Sequence, residues 1–386
     1  NVTDNIFIDN GGLNSNSIGS GNAGNIIVNS GSLILENHST ITANANKLNS
    51  QANAGNIDIN ADSILLLSST IAATANRGNA GEVFLEANNI TFKNNSNIDT
   101  NTRDNSIGNG GKIEVIANSI LFQNEPDFKP KNKGNKILNS LGSITSGIGD
   151  AGEIIIEAEE IILQNRGGIG IDTKSEGDAG KLTINTSLLQ LENSQVQDHA
   201  GINSSSNGSG KAGELIINAD KILLDKSDIQ AETESGRGGN ITLNLNEILL
   251  LRNGSQISTA AGTVSGGGNG GNIKINAPNG FVVAIPNENS DITANAFEGE
   301  GGNIEITSSG IFGIQIRENP TQQISDISAS SKLGIDGTVE INTPEINPNN
   351  ELTELPSIPV NTKLTQGCYS PGYAQNQFFI VGRGGL

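Results

Sequence analysis

Apolar and polar residues alternate in short runs along most of this chain, and the runs recur. A five-residue unit, glycine-polar-aliphatic-any-aliphatic, begins at Gly24 (GNIIV), Gly55 (GNIDI), Gly81 (GEVFL), Gly111 (GKIEV), Gly152 (GEIII) and Gly180 (GKLTI). It continues at Gly213 (GELII), Gly239 (GNITL), Gly271 (GNIKI), Gly302 (GNIEI) and Gly337 (GTVEI). These eleven anchors are spaced 26 to 41 residues apart, with a mean near 31. Both aliphatic slots hold Ile, Leu or Val in every copy, and the residue between them is polar in seven, including Asp58, Glu114, Lys274 and Glu305. Period-two alternation predicts a strand with one buried face, and no helical period fits. The residue before the anchor is Ala or Gly in every copy but one, where it is Asp336. Small residues followed by Gly suit a tight turn that needs positive φ.

A second strand follows at a fixed offset. Nine and eleven residues past the anchor stand Leu33/Leu35, Ile64/Leu66, Ile90/Phe92, Ile120/Phe122, Ile161/Leu163, Leu189/Leu191, Ile222/Leu224 and Ile248/Leu250. A third short strand carries one aliphatic residue among Ser, Thr, Asn and Asp: Ile41, Ile71, Ile98, Ile144, Ile169, Val196, Ile229, Ile257, Ile292 and Ile327. The chain then loosens into Gly, Asn and Ser until the next anchor.

One such repeat cannot bury its own aliphatic face, but stacked repeats can. The expected fold is all-β: a right-handed parallel β-helix of about eleven coils of ~31 residues, each with three short strands. At about 4.8 Å per coil the rod would be about 50 Å long. Asn37, Asn94, Asn124, Asn165 and Asn193, each thirteen residues past an anchor, are placed to stack as hydrogen-bonded ladders. A β-sandwich would not require a Gly anchor in every repeat. A calcium-binding nonapeptide roll would need tandem copies, and the one match, Gly167 to Asp172, stands alone. The β-helix is expected over 1–343, interrupted by an insertion at about 123–141. A Pro-rich linker over 344–362 and a separate tail over 363–386 follow.

Composition alone resembles that of a low-complexity chain, and it is the patterning of the apolar residues that argues otherwise. Of 386 residues, 49 are Gly and 55 are Asn, aromatics are 3%, and Trp and Met are absent. Two Tyr and one Cys, Cys368, lie in the tail, so no intramolecular disulfide is expected. The net charge of −19 argues against a nucleic-acid partner. No apolar run reaches the roughly 20 residues that a membrane-spanning helix needs. Asn1 already stands in repeat-like sequence, so a longer parent chain is expected.

The Gly-Asn-Ile coils resemble the β-helical shaft of filamentous-haemagglutinin-like exoproteins, over roughly residues 5–343. The tail, with LTQGC, an aromatic-aliphatic run and GRGGL, resembles the C-terminal end of large cyanobacterial members. The resemblance implies a secreted adhesin-like rod exported by two-partner secretion through an outer-membrane pore partner. It also implies a place outside a Gram-negative cell or on its outer-membrane surface, with a glycan or cell-surface ligand or self-association. Ala277-Pro278-Asn279-Gly280 faintly echoes a motif of the family's secretion domain, but it lies in the ninth coil and reads as a turn.

The competing class is a polysaccharide lyase or hydrolase, which needs converging carboxylates. The nearest approach is Glu153, Glu157, Glu159 and Glu160 near Arg166, read as a solvated acidic edge. His38 and His199 follow second strands at different offsets and read as turn residues. No catalytic residue, metal ligand or cofactor is expected; calcium between turns is conceivable without a nameable site. Lys129, Lys131, Lys133 and Lys136 make the insertion a solvated loop or an anionic contact point. An ice-binding solenoid would want a regular Thr array that the outward slots lack.

One feature points to a contact surface. Ten residues past the anchor the side chain is expected to point outward, and there stand Ile34, Leu65, Thr91, Leu121, Ile162, Gln190, Leu223 and Leu249. Ile34, Leu65, Leu121, Ile162, Leu223 and Leu249 would form an apolar stripe. Either loops cover it, or a partner does, or the pleat is reversed there. In the tail, Cys368, Phe378 and Phe379 are candidates for an anchoring or release element.

Overall fold

The computed structural model describes residues 2–125, 139–194, 201–262, 267–318 and 320–344. The chain divides into two units, Asn1–Pro344 and Glu345–Leu386, and the coils belong to the first. The Lys-rich part of the insertion, His199, Val196, and the tail with Cys368, Phe378 and Phe379 lie outside the described residues.

The described residues are all-β and form a β-solenoid of about ten turns. They build two parallel sheets of twelve strands each. The first sheet holds Asn5–Asp9, Ile26–Glu36, Ile57–Leu67, Val83–Lys93, Lys112–Gln123, Glu153–Gln164, Lys181–Glu192, Glu214–Asp225, Asn240–Arg252, Asn272–Ala284, Asn303–Phe312 and Thr338–Asn342. The second consists of shorter strands that follow each long one, such as Thr40–Thr42, Asn97–Asp99, Gly167–Thr173 and Asp326–Ser328.

The expected three strands per coil are therefore two, because the first pair is a single bent strand. In Ile57–Leu67 the buried positions are Ile57, Ile59 and Ala61, then Ile64 and Leu66; Asp62 and Ser63 both face outward between them. Two successive outward residues reverse the pleat, so the strand turns a corner without ending. Each long strand thus has two arms. A third contact line is reduced to single parallel bridges, such as Ser17–Ala45–Ala75–Thr102–Thr145.

The inward slots of both arms fill one continuous core. Each fully buried Leu or Ile contributes about 1.5–3 kcal/mol relative to exposure. Columns of like residues form along the axis; Phe92 and Phe122 stack with ring centroids 4.3 Å apart. Three predicted inward positions, Ile144, Ile248 and Leu250, are corrected. In the second sheet Leu141 fills the slot expected of Ile144, and Ile202 stands in register with Ile169 and Ile229. In the strand Asn240–Arg252, Leu249 and Leu251 are inward, not Ile248 and Leu250. A register shift between Ala219 and Lys221 of the neighbouring strand adds one residue at the corner, and a one-residue slip exchanges inside for outside.

The anchor glycines are required by space, not by φ. A Cβ on any of Gly55 to Gly337 in the series would stand 1.7–2.1 Å from the carbonyl oxygen of the preceding anchor. None of the anchors has positive φ. A second glycine column, three residues before the anchor, obeys the same rule. Cβ atoms on Gly149, Gly177 and Gly210 would meet the carbonyl oxygens of Gly108, Gly149 and Gly177 at 2.2, 2.0 and 1.9 Å. The segment before each anchor is therefore closely stacked backbone.

Asparagine serves three kinds of corner. Two residues before the anchor, side-chain oxygens accept from the next coil: Asn53 N–H to Asn22 Oδ1 (2.9 Å), Asn79 N–H to Asn53 Oδ1 (2.9 Å) and Asn109 N–H to Asn79 Oδ1 (2.9 Å). Thirteen residues past the anchor, Asn37, Asn94, Asn165 and Asn193 take positive φ of 51–55°, a conformation Asn tolerates better than most residues. They bond to neighbouring coils, but not as the expected amide stack; Asn124 and Asn165, for example, exchange Nδ2–H···O=C bonds at 2.8 and 3.1 Å. The amide stack lies five residues past the anchor, where Asn218 Nδ2 donates to Asn185 Oδ1 and Asn244 Nδ2 to Asn218 Oδ1, both at 2.7 Å.

Next to the positive-φ turn runs a buried serine column. Backbone N–H groups of Ser194, Ser227 and Ser290 donate to the Oγ of Ser227, Ser255 and Ser325 in the next coil, at 3.1, 3.1 and 3.0 Å. The corner lifts these N–H groups out of the ladder, and the hydroxyls satisfy them.

Candidate outer-face contact site

Stacking in register converts each outward slot into a column. Along the second arm the pairing runs Phe7, Ile34, Leu65, Thr91, Leu121, Ile162, Gln190, Leu223, Leu250, Val283, Phe312. Nine of these eleven are apolar. Ile34, Leu65, Leu121, Ile162 and Leu223 are half-buried and face outward, as expected from the pleat. Leu249 is not in the column: it is fully buried, and Leu250 takes the outward position because of the one-residue shift. Phe7, Val283 and Phe312 extend the column to both ends; Phe7 is 59% exposed and Phe312 56%. Sequence reasoning missed these three because they lie in incomplete or shifted copies of the repeat. The signal was the register, which needs the neighbouring strand.

The column is bordered by polar residues. On one side stand Asp9, Glu36, Lys93, Gln164, Glu192 and Arg252, with Leu67 interrupting. Gln164 Nε2 donates to Glu192 Oε2 at 3.1 Å, and Arg252 grips Glu288 through Nε and Nη2 at 2.7 and 2.9 Å. That contact holds the Glu288 carboxyl below the usual range and the guanidinium above its own.

The acidic edge does not converge. Glu153 belongs to a column of alternating sign, Glu82, Lys112, Glu153, Lys181, Glu214. The last pair is closed by an ion pair of 3.3 Å. Glu157 and Glu159 are exposed, whereas Glu160 starts the second arm. No group of three His, Cys, Asp or Glu side chains among the described residues is placed to hold a metal ion. His38 lies in the positive-φ turn, its N–H donating to Ser68 O at 2.9 Å.

The second sheet and its flanks carry buried and half-buried polar groups that the single-aliphatic pattern did not reveal. Loss of hydration pushes Asp99 up to about 6, against a hydrogen bond from Asn101. Asp291 is raised to about 6 by burial, opposed by the Asp326 backbone N–H. Glu232 is raised by burial and bonds Ser258. Asp326 is paired with Arg317 at 2.8 Å. Asn203, fully buried, bonds Asp172 across coils.

Compared with known proteins, the chain matches no family model, no curated protein and no solved structure.

Proposed function

We propose that this β-solenoid is a structural, adhesin-like rod of the filamentous-haemagglutinin-like kind, secreted or displayed at a Gram-negative outer surface. In this reading it is exported by two-partner secretion through an outer-membrane pore partner. The observation that carries the contact role is the apolar column from Phe7 to Phe312. Its positions face away from the core, so the fold itself does not require them to be apolar, and a long outward, half-buried apolar stripe with exposed ends on a solvated rod favours a contact surface. The occupant is a cell-surface ligand or a second rod. The −19 charge disfavours nucleic acid.

A non-enzymatic role is supported by several outer carboxylates that are spent on neighbouring coils: Glu305 on Lys274, Glu288 on Arg252, Glu214 on Lys181. Incubation with pectin, alginate or chitin is expected to release no reducing or unsaturated ends; release that one carboxylate mutation abolishes would establish the lyase or hydrolase reading instead. The tail, with Cys368, Phe378 and Phe379, is proposed as the anchoring or release element. Deleting 363–386 should change the fraction of protein retained on cells and leave the melting of the coils unaltered.

The test of the contact surface is the triple substitution Leu65→Thr, Leu121→Thr, Leu223→Thr, which keeps β-propensity and removes the middle of the column. The variant should melt within a few degrees of the parent and lose self-association or surface adhesion. A fall in stability with adhesion retained would mean that the column is an internal packing surface.

A further inference from the structure

At one corner the bent strands open into a groove whose lining residues are not those of the contact column. Between the two arms of Glu214–Asp225, Asn240–Arg252 and Asn272–Ala284 the register slips three times: at Ala219/Lys221, at Asn244/Ile248 and, toward the next strand, at Ala277/Phe281. Earlier long strands pair across the corner without such a slip. The extra backbone widens the corner into a concavity of about 440 Å³. Bulges characteristically bend a strand and re-aim its side chains.

The groove is lined by amides in sequence along the axis: Asn185, Asn218, Asn244 and Asn276. Asn218, Asn244 and Asn276 each donate from Nδ2 to the Oδ1 of the asparagine in the coil before, at 2.7, 2.7 and 3.5 Å, so that Asn185 opens the ladder as an acceptor. A carboxamide has two N–H donors and two acceptor lone pairs. The ladder uses one of each at its interior members, leaving one donor and one acceptor every ~4.8 Å. Asn246, bonded to Asp220 Oδ1 at 2.6 Å, forms an exposed second row. Beyond the lining residues, just past the corner, stands Phe281, 43% exposed and tilted against Phe312, the end of the apolar column, at 6.0 Å; a chain longer than the groove would reach it.

We propose that this groove binds a neutral glycan chain laid along the coil axis. A hydroxyl both donates and accepts, which matches what each amide has left. The ring of Phe281 offers an apolar face to the C–H side of a sugar. An extended peptide is disfavoured because the strands here are already paired on both edges, so no edge is open for strand addition. A polyanionic glycan is disfavoured by Asp220 and by the −19 charge.

The test titrates the full chain calorimetrically with cello-, chito-, malto- and mannohexaose, and with oligogalacturonate and an Asn-rich peptide as comparators. At least one neutral hexasaccharide should bind. Asn246→Ala and Phe281→Ser, both exposed positions, should each weaken it about five-fold or more, the loss of roughly one hydrogen bond or apolar contact. Asn218→Leu with Asn244→Leu should abolish it; circular dichroism separates that result from unfolding. The triple stripe variant should bind normally, so failure here and failure of the adhesion reading are read out separately. The proposal is overturned if no neutral hexasaccharide binds at millimolar concentration. It is equally overturned if both exposed substitutions leave binding unchanged, or if only the anionic sugar or the peptide binds.

Discussion

The two arms of each long strand share one backbone and one core, yet their outer faces differ in chemistry. On the first arm the outward columns are largely polar and charged, as in Glu82, Lys112, Glu153, Lys181, Glu214 or the Lys274–Glu305 pair at 3.0 Å. On the second arm the column from Phe7 to Phe312 is mostly apolar. The inward slots of the two arms are alike in being aliphatic: Ile, Leu and Val fill both, with Phe92 and Phe122 added on the second arm. The fold therefore explains the inner residues of both arms and the outer residues of neither. Alternating signs on the first arm stabilise neighbouring coils by weak, screened pairs. The apolar residues of the second arm have no such local task, and this contrast singles that face out.

The comparison breaks most severely if inward and outward positions are exchanged. Ile113, fully buried, should not tolerate Asp; an isolated buried charge should cost at least about 4 kcal/mol and disorder adjacent coils. Its outward neighbour Glu114, paired with Lys112 at 2.6 Å, should accept Asp with a change within about 0.5 kcal/mol. Thermal melts by circular dichroism decide both, and equal effects would mean that the pleat is misassigned.

Next in size is the glycine column that holds both arms at coil spacing. A Cβ on Gly152 would lie 1.9 Å from Gly111 O and 2.7 Å from Ser143 Oγ. Gly152→Ala should lower stability by about 3 kcal/mol or more, since the strand must move. Gly21→Ala, with nothing within 4 Å, should be silent in the same melt.

A smaller effect sharpens the contrast with the second sheet. Asp99 and Asp291 titrate at about 6 in the folded chain, above the ordinary 3.8. The folded state then binds more protons than the unfolded state between those values. The stability they contribute is fully present below about pH 4 and is lost as pH rises through about 6. The rod should melt at a higher temperature near pH 4.5 than at pH 7.5. Asp99→Asn should flatten that difference and stabilise at pH 7.5 by about 1–2 kcal/mol. A melting temperature that rises with pH across this window would contradict the assignment.

Smallest is the first arm's surface. Lys274→Gln should change stability by no more than about 0.5 kcal/mol, with the effect vanishing in high salt because both partners are exposed. A salt-independent loss would show that these pairs carry more of the fold than exposed ion pairs do.

The repeat by itself determined that the chain is all-β, that its coils stack in parallel, and which aliphatic residues in regular copies face the core. Period two requires a one-sided strand, and a lone repeat cannot bury that side. It also determined the outward stripe at Ile34, Leu65, Leu121, Ile162 and Leu223, because the pleat alternates strictly while the register is kept. What only the tertiary structure decided lies where that premise fails. Leu249 moved inward and Leu250 outward because one residue accumulated at a corner, and a local period cannot report which side of a bulge it is on. Leu141 replaced Ile144 because spacing counted from the anchor is lost across an irregular segment. The two expected strands fused because a corner made by two outward residues looks, in sequence, like a turn. The anchors' need for glycine and the buried serine column depend on atoms about thirty residues away. Such contacts exist only once the next coil has closed over the last.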